Sequence, residues 1–82
     1  MGRNEVARPT GETAVIARLL ADAAAVAGIT QSELARRMHS NQSAVQRWLN
    51  GERSIPLGDF LRICDTLGLD PADVIRRARG ND

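Results

Sequence analysis

Side chains that can form paired hydrogen bonds with DNA bases are concentrated in a short segment, QSAVQRWLN, at residues 42–50. Its polar members are Gln42, Ser43, Gln46 and Arg47. Glutamine can form two hydrogen bonds with adenine, and arginine can donate two to guanine. In a helix these side chains would project opposite Val45, Trp48 and Leu49. The pattern favours a helix that reads DNA, and the alternative is a polar face in contact with solvent.

Composition indicates one small globular domain. The chain has 82 residues, of which 43% are hydrophobic and 26% are charged, which suits a single modest core. No apolar run approaches the length of a membrane span, and the first residues, MGRNEVARPTGET, lack the apolar centre of a secretion signal. With a single cysteine, Cys64, no internal disulfide can form. We therefore expect a cytoplasmic protein with no membrane partner.

Charge alone says little about a partner, because the net charge is only +1. All eleven basic residues are arginine, whose planar fork suits phosphate and guanine. A bias toward G·C-rich codons explains the same observation without any function. A prediction of DNA binding must therefore depend on where the arginines lie.

The residues that would make an enzyme are missing from this sequence. His39 is predicted in a tight turn and Cys64 on a buried helix face, so nothing brings the two together. There is no CxxC, HExxH or pair of histidines for a metal. We expect no catalytic residues, no metal, no cofactor and no small-molecule ligand.

Apolar spacing predicts five helices and no strand, hence an all-α fold. The first helix is expected from Thr13 to Ala27, followed by Gly28. Its predicted buried face comprises Val15, Ile16, Leu19, Leu20, Ala23 and Val26. Residues 1–11 are predicted to be a flexible tail, 12–79 the domain and 80–82 a C-terminal tail.

The second and third predicted helices are separated by a very short turn. Thr30 and Glu33 have the spacing of a capping box at the start of helix two, and Ser40 or Asn41 can cap helix three. His39 is expected to take the positive φ of the bend. The buried positions are expected to be Leu34, Ala35, Met38, Ala44, Val45, Trp48 and Leu49.

Helices four and five carry clear start signals. Pro56 suits the first turn of helix four, and Asp70 followed by Pro71 suits the start of helix five. Leu69 and Val74 are spaced as a hydrophobic staple. The predicted apolar face of helix four comprises Leu57, Phe60, Leu61, Cys64 and Leu67.

Two apolar stripes at this offset, with small Ala35 between them, are typical of a helix-turn-helix unit. Residues 29–69, ITQSELARRMHSNQSAVQRWLNGERSIPLGDFLRICDTLGL, resemble the lambda-repressor-like (XRE-type) helix-turn-helix domains, which include phage repressors, Cro proteins and small bacterial regulators. Together with the first and fifth helices, the resemblance spans residues 13 to about 78. Two departures are His39, where glycine is usual, and Leu49, where some relatives carry an acid; we expect Leu49 to contact the alanines of helix one.

The resemblance implies a five-helix bundle whose third helix lies in the major groove while the second crosses the DNA backbone. It implies that Gln42 and Ser43 approach base edges and that Arg47 reads a base or a phosphate. The exposed face adds Gln46, and the base contacts expected are Gln42, Ser43, Gln46 and Arg47. The residues predicted to contact phosphate are Gln31, Asn41, Asn50 and Arg53. Arg36 and Arg37 either touch phosphate or remain solvated.

The function expected from these residues is sequence-specific binding of double-stranded DNA by a Cro-like or compact repressor that occupies its operator. A homodimer through Val74 and Ile75 of helix five would read two half-sites, and a monomer that pairs only on DNA stays open. The alternatives are an antitoxin that also binds a toxin, and a protein-interaction bundle with no DNA role. Arg3 and Arg8 could form a minor-groove arm, against which Glu5 and Glu12 argue.

Overall fold

Five helices connected by short turns make up the chain, as described for residues 11–80 by a computed structural model. They are α1 (Gly11–Ala27), α2 (Gln31–Met38), α3 (Gln42–Leu49), α4 (Leu57–Leu67) and α5 (Pro71–Ala78). Within residues 11–80 there is no strand. The prediction of an all-α bundle with two closely spaced central helices is confirmed. Helix α1 begins at Gly11, two residues before the expected Thr13.

Local side chains fix where three of the helices begin. The Thr30 hydroxyl accepts a hydrogen bond from the Glu33 amide (3.0 Å), and the Asn41 and Asp70 side chains accept from the amides two or three residues ahead (both 3.1 Å). Each bond satisfies an N–H group that has no partner inside its helix. Pro56 differs from the prediction, because it precedes α4 as the cap residue and Leu57 is the first helical residue.

The bend between α2 and α3 is made by His39. Its backbone has φ 55° and ψ 40°, the left-handed region that most side chains disfavour. In this conformation the Ser40 amide donates back to the Ala35 carbonyl (2.9 Å), which closes α2 and leaves residues 39–41 to turn the chain into α3. The predicted role of His39 as a turn residue is confirmed.

The core joins all five helices around the α2–α3 pair. Leu34, Ala35 and Met38 of α2 and Val45 and Leu49 of α3 are buried. They pack with Leu20 of α1, with Phe60, Ile63 and Cys64 of α4 and with Val74 of α5. Each fully buried large side chain stabilises the fold by about 1.5–3 kcal/mol, so burial fixes which side of α3 points outward. Trp48 packs against this cluster, as expected.

The predicted contact of Leu49 with helix one is also present. Leu49 is buried and lines a groove together with Ala14 and Ala17 of α1. The small alanine side chains let α3 approach α1 closely, so an apolar contact stands at this position.

Two predicted apolar faces are correct only in part. Of their residues, those that are buried or pack against the core are Ile16, Leu19, Leu20, Phe60, Cys64 and Leu67, and those that are exposed are Val15, Val26, Leu57 and Leu61. In α1 the buried residues are Ala17, Leu20 and Ala24, whereas Val26 is 90% exposed. In α4 the buried residues include Ile63, which the prediction missed, and Leu57 is 70% exposed at the helix start. The alanine-rich α1 is apolar on most sides, so spacing cannot fix which side its neighbours cover.

Of Val74 and Ile75, which were both expected to be exposed on helix five, only Ile75 is exposed (39%). Val74 is buried and Leu69 packs against the same cluster, in keeping with the predicted staple. A dimer surface that includes Val74 is therefore wrong, because that side chain already fills the bundle's own core.

Candidate nucleic-acid interface

Helix α3 separates its two kinds of side chain cleanly. Val45 and Leu49 are buried, and the four polar side chains singled out in the sequence are all exposed; these are Gln42, Ser43, Gln46 and Arg47. Since the buried side is anchored in the core, the polar side must face outward along the length of the helix. The structure therefore brings these four side chains together on one surface that is free to meet a partner.

Asn41 holds the beginning of this surface. Its Oδ1 accepts the hydrogen bond from the Ala44 amide (3.1 Å), and its extended backbone, with φ −71° and ψ 126°, carries the chain into the helix. The cap places Gln42 and Ser43 in the first turn of α3. Asn41 is exposed, so its Nδ2 group can still donate to a ligand.

A hydrogen bond between two side chains joins the beginning of α2 to the end of α3. Gln31, the first residue of α2, donates from Nε2 to Oδ1 of Asn50 (3.2 Å), which directly follows α3. These residues are 19 apart in the sequence, and both are predicted to contact phosphate. Because the Asn50 oxygen is engaged, its Nδ2 group is left to donate outward.

The loop after α3 folds back on the helix. Gly51 has φ 75°, and the amides of Glu52 and Arg53 then both donate to the Arg47 carbonyl (2.8 and 3.3 Å). This arrangement returns the backbone of Arg53 to the last turn of α3. Arg47 and Arg53 are thereby placed close along the same end of the helix.

Ion pairs distinguish two arginines from the others. Seven arginines lie close to a carboxylate: Arg18, Arg36, Arg37, Arg62, Arg76, Arg77 and Arg79. Within residues 11–80, Arg47 and Arg53 form no such pair. An unpaired guanidinium keeps its full charge and its planar fork for an anionic ligand. Among the arginines of residues 11–80, those without such a pair thus lie at the end of α3.

Arg36 and Arg37 on α2 are both occupied by Glu33. Arg36 bonds both carboxylate oxygens, with Nε 3.0 Å from Oε1, and Arg37 Nε lies 2.7 Å from Oε2. Hydrogen bonds from Arg36 and then Arg37 lower the pKa of Glu33 from 4.5 to about 2. The carboxylate was expected to complete a capping box with Thr30, and it binds these arginines. Their i, i+3 and i+4 spacing was the signal that sequence reasoning missed.

Other chemistry finds no support in the described part of the chain. Burial, followed by the charges of Asp65 and Asp70, raises the pKa of Cys64, so the thiol stays protonated in the core. Residues 11–80 contain no group of His, Cys, Asp and Glu side chains arranged to hold a metal. In the same range no single helix is long and apolar enough to cross a membrane, and only α1 and α2 taken together, across a 99° bend, meet those criteria. Arg3 and Arg8 lie outside the described residues.

Comparison with known families agrees with this geometry. A family model described as "Helix-turn-helix domain" matches residues 15–77, from the first half of α1 to the end of α5. The chain belongs to this helix-turn-helix family. Membership supports a DNA-binding regulator. Neither the comparison with curated proteins nor the comparison with solved structures finds a match.

Proposed function

We propose that this helix-turn-helix protein is a sequence-specific transcriptional regulator of the lambda-repressor-like (XRE) type. It binds double-stranded DNA and regulates transcription by occupying an operator, in the manner of Cro proteins. The observation that carries the proposal is the exposed side of α3. Four polar side chains lie there over a buried anchor; one of them is Arg47, which, like Arg53 in the following loop, has no carboxylate partner within residues 11–80. A solvated helix face needs no such concentration of unpaired charge.

The base-reading residues in this proposal are Gln42, Ser43, Gln46 and Arg47. In the first turn of α3, Gln42 and Ser43 reach the edges of bases from the helix end that enters the major groove deepest. Gln46 and Arg47 follow one turn later on the same side. Glutamine on adenine and arginine on guanine supply the discrimination.

The phosphate-binding residues in this proposal surround that side of α3. Gln31 and Asn50 act together, since their mutual bond holds both amides beside each other and leaves amide hydrogens of each for phosphate oxygens. Asn41 donates from its Nδ2 at the start of α3. Arg53, returned by the loop to the Arg47 carbonyl, supplies charge at the other end. Such contacts fix the register of α3 but do not read sequence.

The proposed assembly is a homodimer on DNA, in which two copies read half-sites about one turn apart. With Val74 buried, the apolar surface that we propose for a second copy is formed by Ile75 of α5 and Leu57 of α4, which line one groove together with Ile16. The test is sedimentation with and without operator DNA for the wild type and for Leu57→Glu. We expect the variant to bind one half-site normally and to lose pairing on the full site.

An antitoxin-type regulator is the second candidate, and one surface favours it. Val26 is 90% exposed and lines a groove with Leu67 and Leu69 on the end of the bundle formed by α1 and α4. Exposed apolar surface of this kind is typical of protein contacts. Co-purification of a small partner protein that Val26→Glu abolishes would favour this candidate over a regulator that acts alone.

The proposed function is tested by selection from a pool of random duplexes, followed by sequencing. We expect a defined motif to be enriched by the wild type. Its affinity should fall steeply with salt, because bound arginines release counterions from the phosphates. If no motif is enriched, or if binding does not depend on salt, the bundle is a protein-interaction module and the proposal is wrong.

A further inference from the structure

One carboxylate on α2 holds two arginines at once. Glu33 accepts from Arg36 through both oxygens and from Arg37 through Oε2, while its side chain is 30% exposed. The arginine side chains are more exposed, at 73% and 47%. They therefore lie at the surface, where a phosphate could reach them, yet their Nε donors are already engaged by Glu33.

The position of this triad relative to the proposed DNA interface makes its charge relevant. Gln31 begins α2 and contacts Asn50 at the end of α3. At 1.5 Å of rise per residue, Arg37 lies about 9 Å along the axis from Gln31. That separation is close to the distance over which physiological salt screens a charge. A change in charge at Arg36 and Arg37 would therefore act on a phosphate backbone bound at Gln31 in partly screened form.

We propose that Glu33 limits the sequence-independent part of DNA affinity by holding Arg36 and Arg37 away from phosphates. The inference rests on the proposed function. Contacts between arginine and phosphate strengthen binding to every sequence equally, so two more of them would tighten binding to operator and unrelated DNA alike and would increase its dependence on salt. Glu33 neutralises one of the two charges and occupies both guanidinium groups.

The chain contains a matched control for this device. Asp73 in the first turn of α5 holds Arg76 (3.1 Å) and Arg77 (3.4 Å), with the same i+3 and i+4 spacing. Helix α5 packs mainly on α1 and α4, whereas α2 packs on α3 and α4. Asp73→Asn thus makes the same change in net charge as Glu33→Gln. It releases Arg76 and Arg77, which lie on a helix that packs mainly on α1 and α4 rather than on α3.

The experiment measures binding to a selected duplex and to an unrelated duplex by fluorescence anisotropy at several NaCl concentrations. For Glu33→Gln we expect affinity for the unrelated duplex to rise about 3–10-fold, and the slope of log K against log salt to steepen by about 1–2, as one or two added phosphate contacts require. Asp73→Asn should stay within about twofold of the wild type. Equal effects of the two substitutions would overturn the inference.

Removing Arg36 and Arg37 is a second test of whether Glu33 acts by restraining them. In the Glu33→Gln background, adding Arg36→Ala and Arg37→Ala should abolish the gain, and a gain that persists would overturn the inference. In the otherwise wild-type chain, the two alanine substitutions together should lower non-specific affinity less than about threefold. A larger loss would show that both arginines already bind phosphate and that Glu33 does not restrain them.

The two proposals fail in different ways. If the wild type prefers the selected duplex but Glu33→Gln leaves non-specific affinity and salt slope unchanged, Glu33 does not limit DNA affinity and the regulator stands. If the wild type has no preference for any duplex, the proposed function fails and this inference fails with it. Circular dichroism of each variant verifies that the helices are retained.

Discussion

The Nε2 group of Gln31 donates a hydrogen bond to Oδ1 of Asn50 at 3.2 Å, which ties the beginning of α2 to the end of α3. Both amides are exposed enough to make a second contact, since Asn50 is exposed and Gln31 is half-buried. The bond links the helix expected to cross the DNA backbone to the helix expected to enter the groove. The two phosphate contacts predicted for these residues are therefore expected to be made together.

Gln31→Ala should weaken binding about equally on all duplexes, by about 0.5–1.5 kcal/mol, because it removes a phosphate donor and no base contact. Asn50→Ala should have a similar effect. The double variant should lose less than the sum of the two, since each single change already breaks the shared bond. Titration of selected and unrelated duplexes measures this, and a loss of sequence preference in Gln31→Ala would show that Gln31 reads bases.

Arg53→Ala should reduce the slope of log K against log salt by about 1, since one charged contact with phosphate is lost. Its effect should be the same on selected and unrelated duplexes. Arg62→Ala is the control, because Arg62 is half-exposed on α4 and lies near Asp59 (3.6 Å). If both variants keep the wild-type slope, Arg53 does not contact phosphate.

Asn41→Ala should lower the free energy of unfolding by about 0.5–2 kcal/mol, because the Ala44 amide loses its acceptor at the start of α3. Asn41→Ser retains an oxygen at the cap and should recover most of that loss. Urea denaturation followed by circular dichroism gives the values. Equal stability of the alanine variant and the wild type would mean that the cap contributes nothing.

The stability contributed by Glu33 should depend on acid pH. Hydrogen bonds from Arg36 and Arg37 lower the pKa of Glu33 in the folded protein from 4.5 to about 2, so folding favours the charged carboxylate. The contribution is present in full above the ordinary pKa and is lost as the pH falls through the folded value. The difference in urea midpoint between the wild type and Glu33→Gln should thus be constant near neutral pH and shrink between about pH 4.5 and 2. A difference that stays constant over that window contradicts the ion pairs.

Local signals in the sequence were sufficient for the starts of α2, α3 and α5. Thr30, Asn41 and Asp70 each bond an amide two or three residues ahead, so the information lies within one turn of chain. The positive φ of His39 likewise follows from how short the connection is. The spacing of apolar residues was not sufficient to predict which side chains are buried. The side of α1 that is covered depends on helices that follow far along the chain. Val26 was assigned to the wrong environment for that reason, and Ile63 of α4 was left out of the predicted buried face.

The sequence was sufficient to predict which residues form the candidate interface, but not how their side chains and backbone contact one another. The polar side of α3 follows from the phase of Val45 and Leu49, which is a local property. The bond between Gln31 and Asn50 and the return of Arg53 to the Arg47 carbonyl depend on how α2, α3 and the following loop pack. The contact roles of these residues stay predictions until DNA is bound.

The most direct measurement is the affinity of Arg47→Ala for the duplex selected by the wild type and for an unrelated duplex of equal length. An arginine that reads a base should lose about 1–3 kcal/mol on the selected duplex, about 5- to 150-fold, and less than about threefold on the unrelated one. Arg62→Ala should leave both affinities unchanged. Equal losses by Arg47→Ala on the two duplexes, or no loss on either, would contradict the claim that the exposed side of α3 reads DNA.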